Sequence, residues 1–450
     1  MAGRQNKGVP RVAGVRDWSP ALEKLLDVCR HRSELHLRNP RVPLRFFFSS
    51  RPFAVSFFRF LRYFAAILLG CLGHDSRLSL FFPMVTSDLI ARANPWLEDI
   101  VSYIPGKPID DVARELGLPP EKIVKLASNE NPIGPSPKAV AAMTEALTKA
   151  HFYPDGGGYH LRKAIAQKFG LDSSNVALGN GSNEIIEFMG HAFLTPGDNI
   201  VVADHAFVIY KLMAHLFGAS AIEVPDPGLT ADIDAMVQAI TPRTKLIYIA
   251  NPNNPTGTMV GTAELDRLVK EVPANVGIVL DEAYYEFLPN PPDTLRYVHE
   301  TGNVILLRTF SKIQGLASLR IGYGLANPEL IKLIAKTRQP FNANAIAQVG
   351  AIAGLQDEEH QQKTRALTLA GVAFLQAGFD KRGLEYVPSS ANFVLVKVGN
   401  GKAIFEKLLH RGTIVRATGE YKLPEWIRVS VGTMDQNRRF FEDLDAVMAE

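Results

Sequence analysis

Four polar stretches in this chain each follow a short apolar run, and each carries residue types suited to chemistry. Lys312 sits in "RTFSKIQGLASLRIGYG" after the run "NVILL", with Ser311 beside it and Arg320 eight residues on. Asp281 opens "DEAYYEF" after "VGIVL", and Tyr284 lies three residues further. Asn254 stands in "NPNNPTG" after "KLIYIA". Ser182 and Asn183 belong to "GNGSNE", which follows "NVAL" and runs into a helical pattern.

Each stretch also has a bland reading. Small residues at a helix start free backbone N–H groups for an anion, or are an ordinary N-cap. Two prolines and a glycine hold Asn254 in one orientation, or make only a turn. An acid at a strand end is poorly solvated unless a cation meets it, or it is a cap beside a packed tyrosine. A lone loop lysine is common. Together they fit one ligand, pyridoxal phosphate. Its phosphate takes N–H donors, hydroxyls and an arginine. Its ring nitrogen takes a carboxylate, its ring oxygen an amide and a tyrosine, and its aldehyde a lysine.

The elements that must position these groups are legible in outline. From about Met84, helix-like stretches such as "SPKAVAAMTEALTKA" alternate with runs such as "NIVVA" and "RIGYGLA". This alternation predicts an α/β fold, with a mainly parallel sheet covered on both faces. Ligands bind such sheets at the carboxyl ends of the strands. After Pro388 the pattern changes to "ANFVLVKV", "GKAIFEKLLHRG" and "WIRVSVGT", predicting a smaller α+β domain. The expected division is an extension over 1–83, an N-terminal arm of the small domain over 84–120, a cofactor-binding large domain over 121–340, and a connecting helix with the small domain over 341–450.

At 450 residues, 46% hydrophobic and 21% charged, the chain has a globular composition. Its charge is uneven. Residues 1–83 hold 14 Lys/Arg against 5 Asp/Glu, whereas 84–450 hold 35 against 41. The acidic body gives no case for nucleic-acid binding. Both cysteines, Cys29 and Cys71, lie in the first segment. The body therefore has no disulfide, no Cys-type zinc site and no thiol nucleophile, which suits the cytoplasm. No metal is expected. In the first segment, Arg59 and Arg62 interrupt the apolar stretch Phe53 to Gly73, and each costs about 2.5–3.5 kcal/mol at mid-membrane. The segment reads as an over-extended start upstream of Met84, an Arg-rich targeting peptide, or a weak membrane contact. A DNA-binding head on an enzyme-like body is a further alternative, but no helix-turn-helix pattern is present.

The ordered set "NENP", "YPDGG", "GNGSNE", "NPNNPTG", "DEAYYEF", "RTFSK…LRIGYG", "SSANFVLV" and "IRVSVGT" resembles the fold-type I aminotransferases, and among them most the histidinol-phosphate aminotransferases. The likeness runs from about Asp88 to Met448. It implies a large domain with a mainly parallel sheet plus a smaller α+β domain. It implies Lys312 as the lysine that bonds pyridoxal 5'-phosphate, Asp281 on the ring nitrogen, and Asn254 and Tyr284 on the ring oxygen. Ser182, Asn183, Ser311 and Arg320 would hold the phosphate, and Phe207 would stack on the ring. Tyr153 would reach the neighbouring subunit's cofactor, making the active unit a homodimer. Arg428 would bind the substrate's terminal anion, with Arg416, Tyr103 and Asn131 as further substrate contacts. The implied reaction is transamination between L-histidinol phosphate and 2-oxoglutarate, giving imidazole acetol phosphate and L-glutamate, a step of histidine biosynthesis. Arg428 must then serve a phosphate in one half-reaction and a carboxylate in the other. An aromatic amino acid aminotransferase, or a lyase or decarboxylase using the same cofactor, shares most of these motifs.

Overall fold

In the computed structural model, residues 89–101 and 105–450 are described. Seven runs form one sheet: β2 (Val176–Gly179), β3 (Asn199–Ala203), β4 (Ser220–Val224), β5 (Thr244–Ala250), β6 (Gly277–Asp281), β7 (Val304–Thr309) and β8 (Gly322–Ala326). Their order is β2-β8-β7-β6-β5-β3-β4. Only β8 runs against its neighbours, so the sheet is mainly parallel, as the apolar runs predict. β4 is the strand that the sequence reading passed over. It is an edge strand, "SAIEV", whose residues are mostly half-exposed or exposed, so it lacks the unbroken apolar run of a central strand.

The central strands are buried on both faces. Ile247, Ile278, Val279, Ile305 and Leu306 are fully enclosed, each contributing roughly 1.5–3 kcal/mol of burial. Helices Pro137–Leu147 and Ala345–Gln356 pack against each other, and both place residues in this core. A charged pair is buried at the sheet. Arg308 of β7 meets Glu282 at 2.8 Å and lies 3.8 Å above the Tyr285 ring, so two desolvated charges are kept as a pair.

A second sheet is built from β9 (Tyr386–Val387), β10 (Phe393–Lys397), β12 (Arg416–Thr418) and β13 (Leu423–Ser430). It is wholly antiparallel, in the order β12-β13-β10-β9. Helices Glu358–Asp380 and Met434–Met448 bring Leu375, Phe379, Phe440 and Leu444 to its core. β1 (Val124–Lys125) pairs in parallel with β11 (Thr413–Ile414), and Leu126 is buried in the same core. Val124 and Lys125 thus pair with the C-terminal part of the chain, in a two-stranded sheet of their own. Among the described residues no helix is long and apolar enough to cross a membrane.

Candidate active site

β5, β6 and β7 lie side by side, with Ala250 opposite Asp281 and Asp281 opposite Leu307. The loops that leave their carboxyl ends therefore emerge together. After β5, Asn251 exchanges two hydrogen bonds with the Val260 backbone, and Asn253 donates to Thr256 and to the His205 carbonyl. These two asparagines build the loop, and Asn254 is turned to the cleft. Asp281 is the last residue of β6, and Lys312 follows β7 by three residues. Lys312, Asp281, Asn254, Tyr284 and Phe207 all line one cleft of about 430 Å³.

Lys312 and Asp281 have opposed electrostatics. The Lys312 amine donates to the Ser128 carbonyl at 3.2 Å. Burial, with help from Arg428 and Arg320, lowers its pKa to about 8, against the pull of Glu130 and Asp281. Burial also raises Asp281 to about 6, while hydrogen bonds from Tyr210 and the Ala283 N–H work the other way. An amine that sheds its proton near pH 8 is fit to be a nucleophile and a proton carrier.

The anion site is a cradle at the start of helix Ser182–Phe193. Its N-cap is Gly181, which offers no side-chain acceptor to the first N–H groups, so they remain for an anion. Gly181 has a positive φ of 73°, and a Cβ there would sit 2.6 Å from the Arg320 guanidinium. A Cβ on Gly322 would come 2.4 Å from the Ser182 nitrogen. Arg320 approaches the Ser311 hydroxyl at 3.4 Å. Glycine backbone, helix start, hydroxyl and guanidinium fit the phosphate of pyridoxal phosphate. Asp281 fits the far, cationic end of its ring.

Arg416 and Arg428 are direct partners across the β12–β13 pair, and both line the cleft. Arg428 is buried; it donates to the Ala127 carbonyl at 2.6 Å and to the Asn254 side-chain oxygen. Arg416 is half-buried and ion-paired with Glu420.

The cleft thus gathers Lys312, Asp281, Tyr284, Asn254, Ser182, Asn183, Phe207, Ser311, Arg320, Arg416 and Arg428. Asn131 does not line the cleft. Its amide is spent on the Ile313 carbonyl and the Thr364 hydroxyl, and its oxygen accepts from the Ile133 N–H. The asparagine of "NENP" that enters the cleft is Asn129. Tyr153 is absent from this chain's cleft too. It is 83% exposed and stacks on Phe341 at 4.8 Å. Tyr103 lies outside the described residues.

Three contributors were missed. Asn129 donates to the Tyr284 hydroxyl at 2.9 Å and accepts from Ser430 at 2.7 Å. Glu130 lines the cleft and acts on Lys312. Tyr210 donates to Asp281 at 2.8 Å. "NENP" was a signal for the first two; Tyr210 had none. Among the described residues no cluster of His, Cys, Asp and Glu is placed to hold a metal.

Comparison with known proteins agrees with this geometry. The family model "Aminotransferase class I and II" matches residues 121–444. The histidinol-phosphate aminotransferase of Akkermansia muciniphila is 49% identical over 79% of this chain and 98% of its own length. That of Moorella thermoacetica is 46% identical over 78% of this chain and 91% of its own. A crystal structure of histidinol-phosphate aminotransferase from Sinorhizobium meliloti, in complex with pyridoxal-5'-phosphate, superposes with a TM-score of 0.74 at 26% identity, covering 80% of this chain and 98% of that one. The chain belongs to the class I and II aminotransferases, and within them to the histidinol-phosphate aminotransferase family.

Proposed function

We propose that this chain is a pyridoxal-phosphate-dependent transaminase that moves an amino group between L-histidinol phosphate and 2-oxoglutarate, as the names of its relatives suggest. The observation that carries this reading is the single cleft with Lys312 and Asp281 at its floor and the opposed Arg416 and Arg428 on its wall.

When bound, pyridoxal phosphate supplies an aldehyde for amines and a ring that accepts negative charge. Lys312 would anchor it covalently, and the Lys312 amine, when free, would carry a proton to and from the substrate's amine-bearing carbon. Asp281 would hold the proton on the ring nitrogen. Tyr284 and the Asn254 amide would donate to the ring oxygen, the Ser182–Asn183 N–H groups with Ser311 and Arg320 would hold the phosphate, and Phe207 would pack on the ring face. Arg428 and Arg416 take the histidinol phosphate anion in one half-reaction and the 2-oxoglutarate carboxylate in the other. Two donor forks suit both groups.

The working unit is a cytoplasmic homodimer. Supporting the dimer, Phe152, Tyr153 and Phe341 are exposed with Tyr153 stacked on Phe341, an aromatic group that a second copy would cover. Tyr153 would then enter the partner's cleft. Purified protein given histidinol phosphate, phenylalanine, tyrosine and aspartate in turn, with 2-oxoglutarate as acceptor, tests the substrate. The highest kcat/KM is expected for histidinol phosphate; a higher value for an aromatic amino acid overturns that choice.

A further inference from the structure

Behind Asp281 stands a tyrosine that the mechanism does not yet use. Tyr210, on helix Ile209–Leu216, is fully buried. Its hydroxyl donates to Asp281 Oδ2 at 2.8 Å, while Asp281 Oδ1 accepts from the Ala283 N–H at 3.1 Å. The ring is held from two sides. It stacks on Tyr248 of β5 at 4.7 Å and 16°, and it meets the Phe207 ring edge-on at 5.7 Å and 86°.

We propose that Tyr210 is a positioning residue that keeps Asp281 ionised and fixes its plane, so that the carboxylate is ready to hold a proton on the cofactor ring nitrogen. Burial drives Asp281 toward the neutral acid, and the neighbouring Glu282 pushes the same way. Three groups oppose them: the Tyr210 hydroxyl, the Ala283 N–H and the Lys312 amine. The Lys312 charge weakens as pH rises through about 8. The Ala283 N–H is local backbone, which any residue at 281 would meet. Tyr210 is the contribution specific to side-chain chemistry. Burial and the adjacent carboxylate hold its own pKa well above 10, so it remains a donor throughout the working range. A donor with no charge of its own favours the carboxylate over the acid without cancelling the negative charge that the ring nitrogen needs. The same ring braces Phe207, so one residue sets both the carboxylate and the stacking face.

The inference rests on Asp281 serving the ring nitrogen, and the test separates the two. Tyr210→Phe deletes the hydroxyl and keeps both ring contacts. The affinity of the cofactor-free protein for pyridoxal phosphate is measured against pH, with turnover alongside, for Tyr210→Phe, Asp281→Asn and the double variant. In Tyr210→Phe the acid limb of the affinity profile should move up by about one pH unit, and kcat should fall roughly tenfold with KM little changed. In the Asp281→Asn background the same change should alter neither readout by more than about twofold. An unmoved acid limb, or an equal loss in the Asn background, overturns the proposal. Wild-type affinity and turnover in Asp281→Asn alone overturn the role of Asp281, and the inference with it.

Discussion

Arg428 and Asn254, 174 positions apart, are joined by a hydrogen bond from guanidinium to side-chain amide. A guanidinium only donates, so the Asn254 atom that faces it is the oxygen. Nδ2 is thereby turned the other way, as the donor a ring oxygen needs. The residue proposed to hold the substrate anion thus sets the orientation of the residue proposed to bond the cofactor ring.

Arg428→Lys should therefore disturb two functions at once. A lysine cannot reproduce the fork that reaches both the Ala127 carbonyl and Asn254. Each lost charged hydrogen bond is worth about 1.5–3 kcal/mol, so KM should rise roughly ten- to hundredfold for both substrates. Cofactor affinity should fall several-fold as the Asn254 amide is freed. Arg416→Lys should raise KM and leave cofactor affinity near the wild-type value. Steady-state kinetics with equilibrium titration of the cofactor separates the two.

Lys312→Ala should abolish transamination while leaving the fold intact. Borohydride treatment of the loaded wild-type protein should fix the cofactor on Lys312, located by peptide mass; a label on another lysine refutes the assignment. The pH dependence follows from the lowered pKa. Only the neutral amine is nucleophilic. The rate at which the cofactor-free protein takes up pyridoxal phosphate should therefore climb with pH and level off above about 8.

The parts of the site that were legible in the sequence are those at strand ends. "VGIVL" followed by Asp281, or "NVILL" followed shortly by Lys312, exposes a change from apolar run to polar residue that a parallel sheet turns into a shared rim. Tyr210 is different. It lies in "VIYKLMAHLFG", on the buried stripe of a helix, and periodicity reads it as core. Its hydroxyl acquires meaning only when the helix is laid against β6. Asn129 and Asn131 are two positions apart in one motif, and the chain direction between them decides which one enters the cleft. Asn129 adopts a positive φ of 53°, a backbone choice that no spacing announces. Arg308 sits within "VILLRT", and its partner Glu282 is 26 positions away, in contact because β6 and β7 pair.

Asp281→Asn should reduce turnover on the order of hundreds-fold or more, because an amide bonds the ring nitrogen but does not hold its proton. The same change should stabilise the cofactor-free protein near pH 7. Between about pH 4 and 6 the folded wild type keeps on Asp281 a proton that the unfolded chain has released. The stability from this group is thus complete below about pH 4 and is lost as pH rises through about 6. At pH 7 the buried carboxylate costs on the order of 2–3 kcal/mol, which the asparagine avoids. Melting temperatures of the two cofactor-free proteins should be closer at pH 4.5 than at pH 7.5. An Asn variant that is less stable at pH 7.5 would mean that Lys312 and Tyr210 over-compensate the burial.

A chain that begins at Met84 should match the full chain in activity and assembly. The charge balance changes sign at this point, and both cysteines lie before it. The aminotransferase model begins its match at residue 121. The Akkermansia relative is covered over 98% of its length by 79% of this chain, so that protein has little room for a counterpart to the remainder. Among the described residues, every one that lines the cleft lies beyond position 105. Both forms should be expressed, and their specific activity and mass by light scattering compared. Equal activity and a dimeric mass are expected for both. A truncated form that folds, yet is monomeric or inactive, would place the first 83 residues within the enzyme itself, and the aromatic group around Tyr153 and Phe341 would then be the first surface to probe by crosslinking.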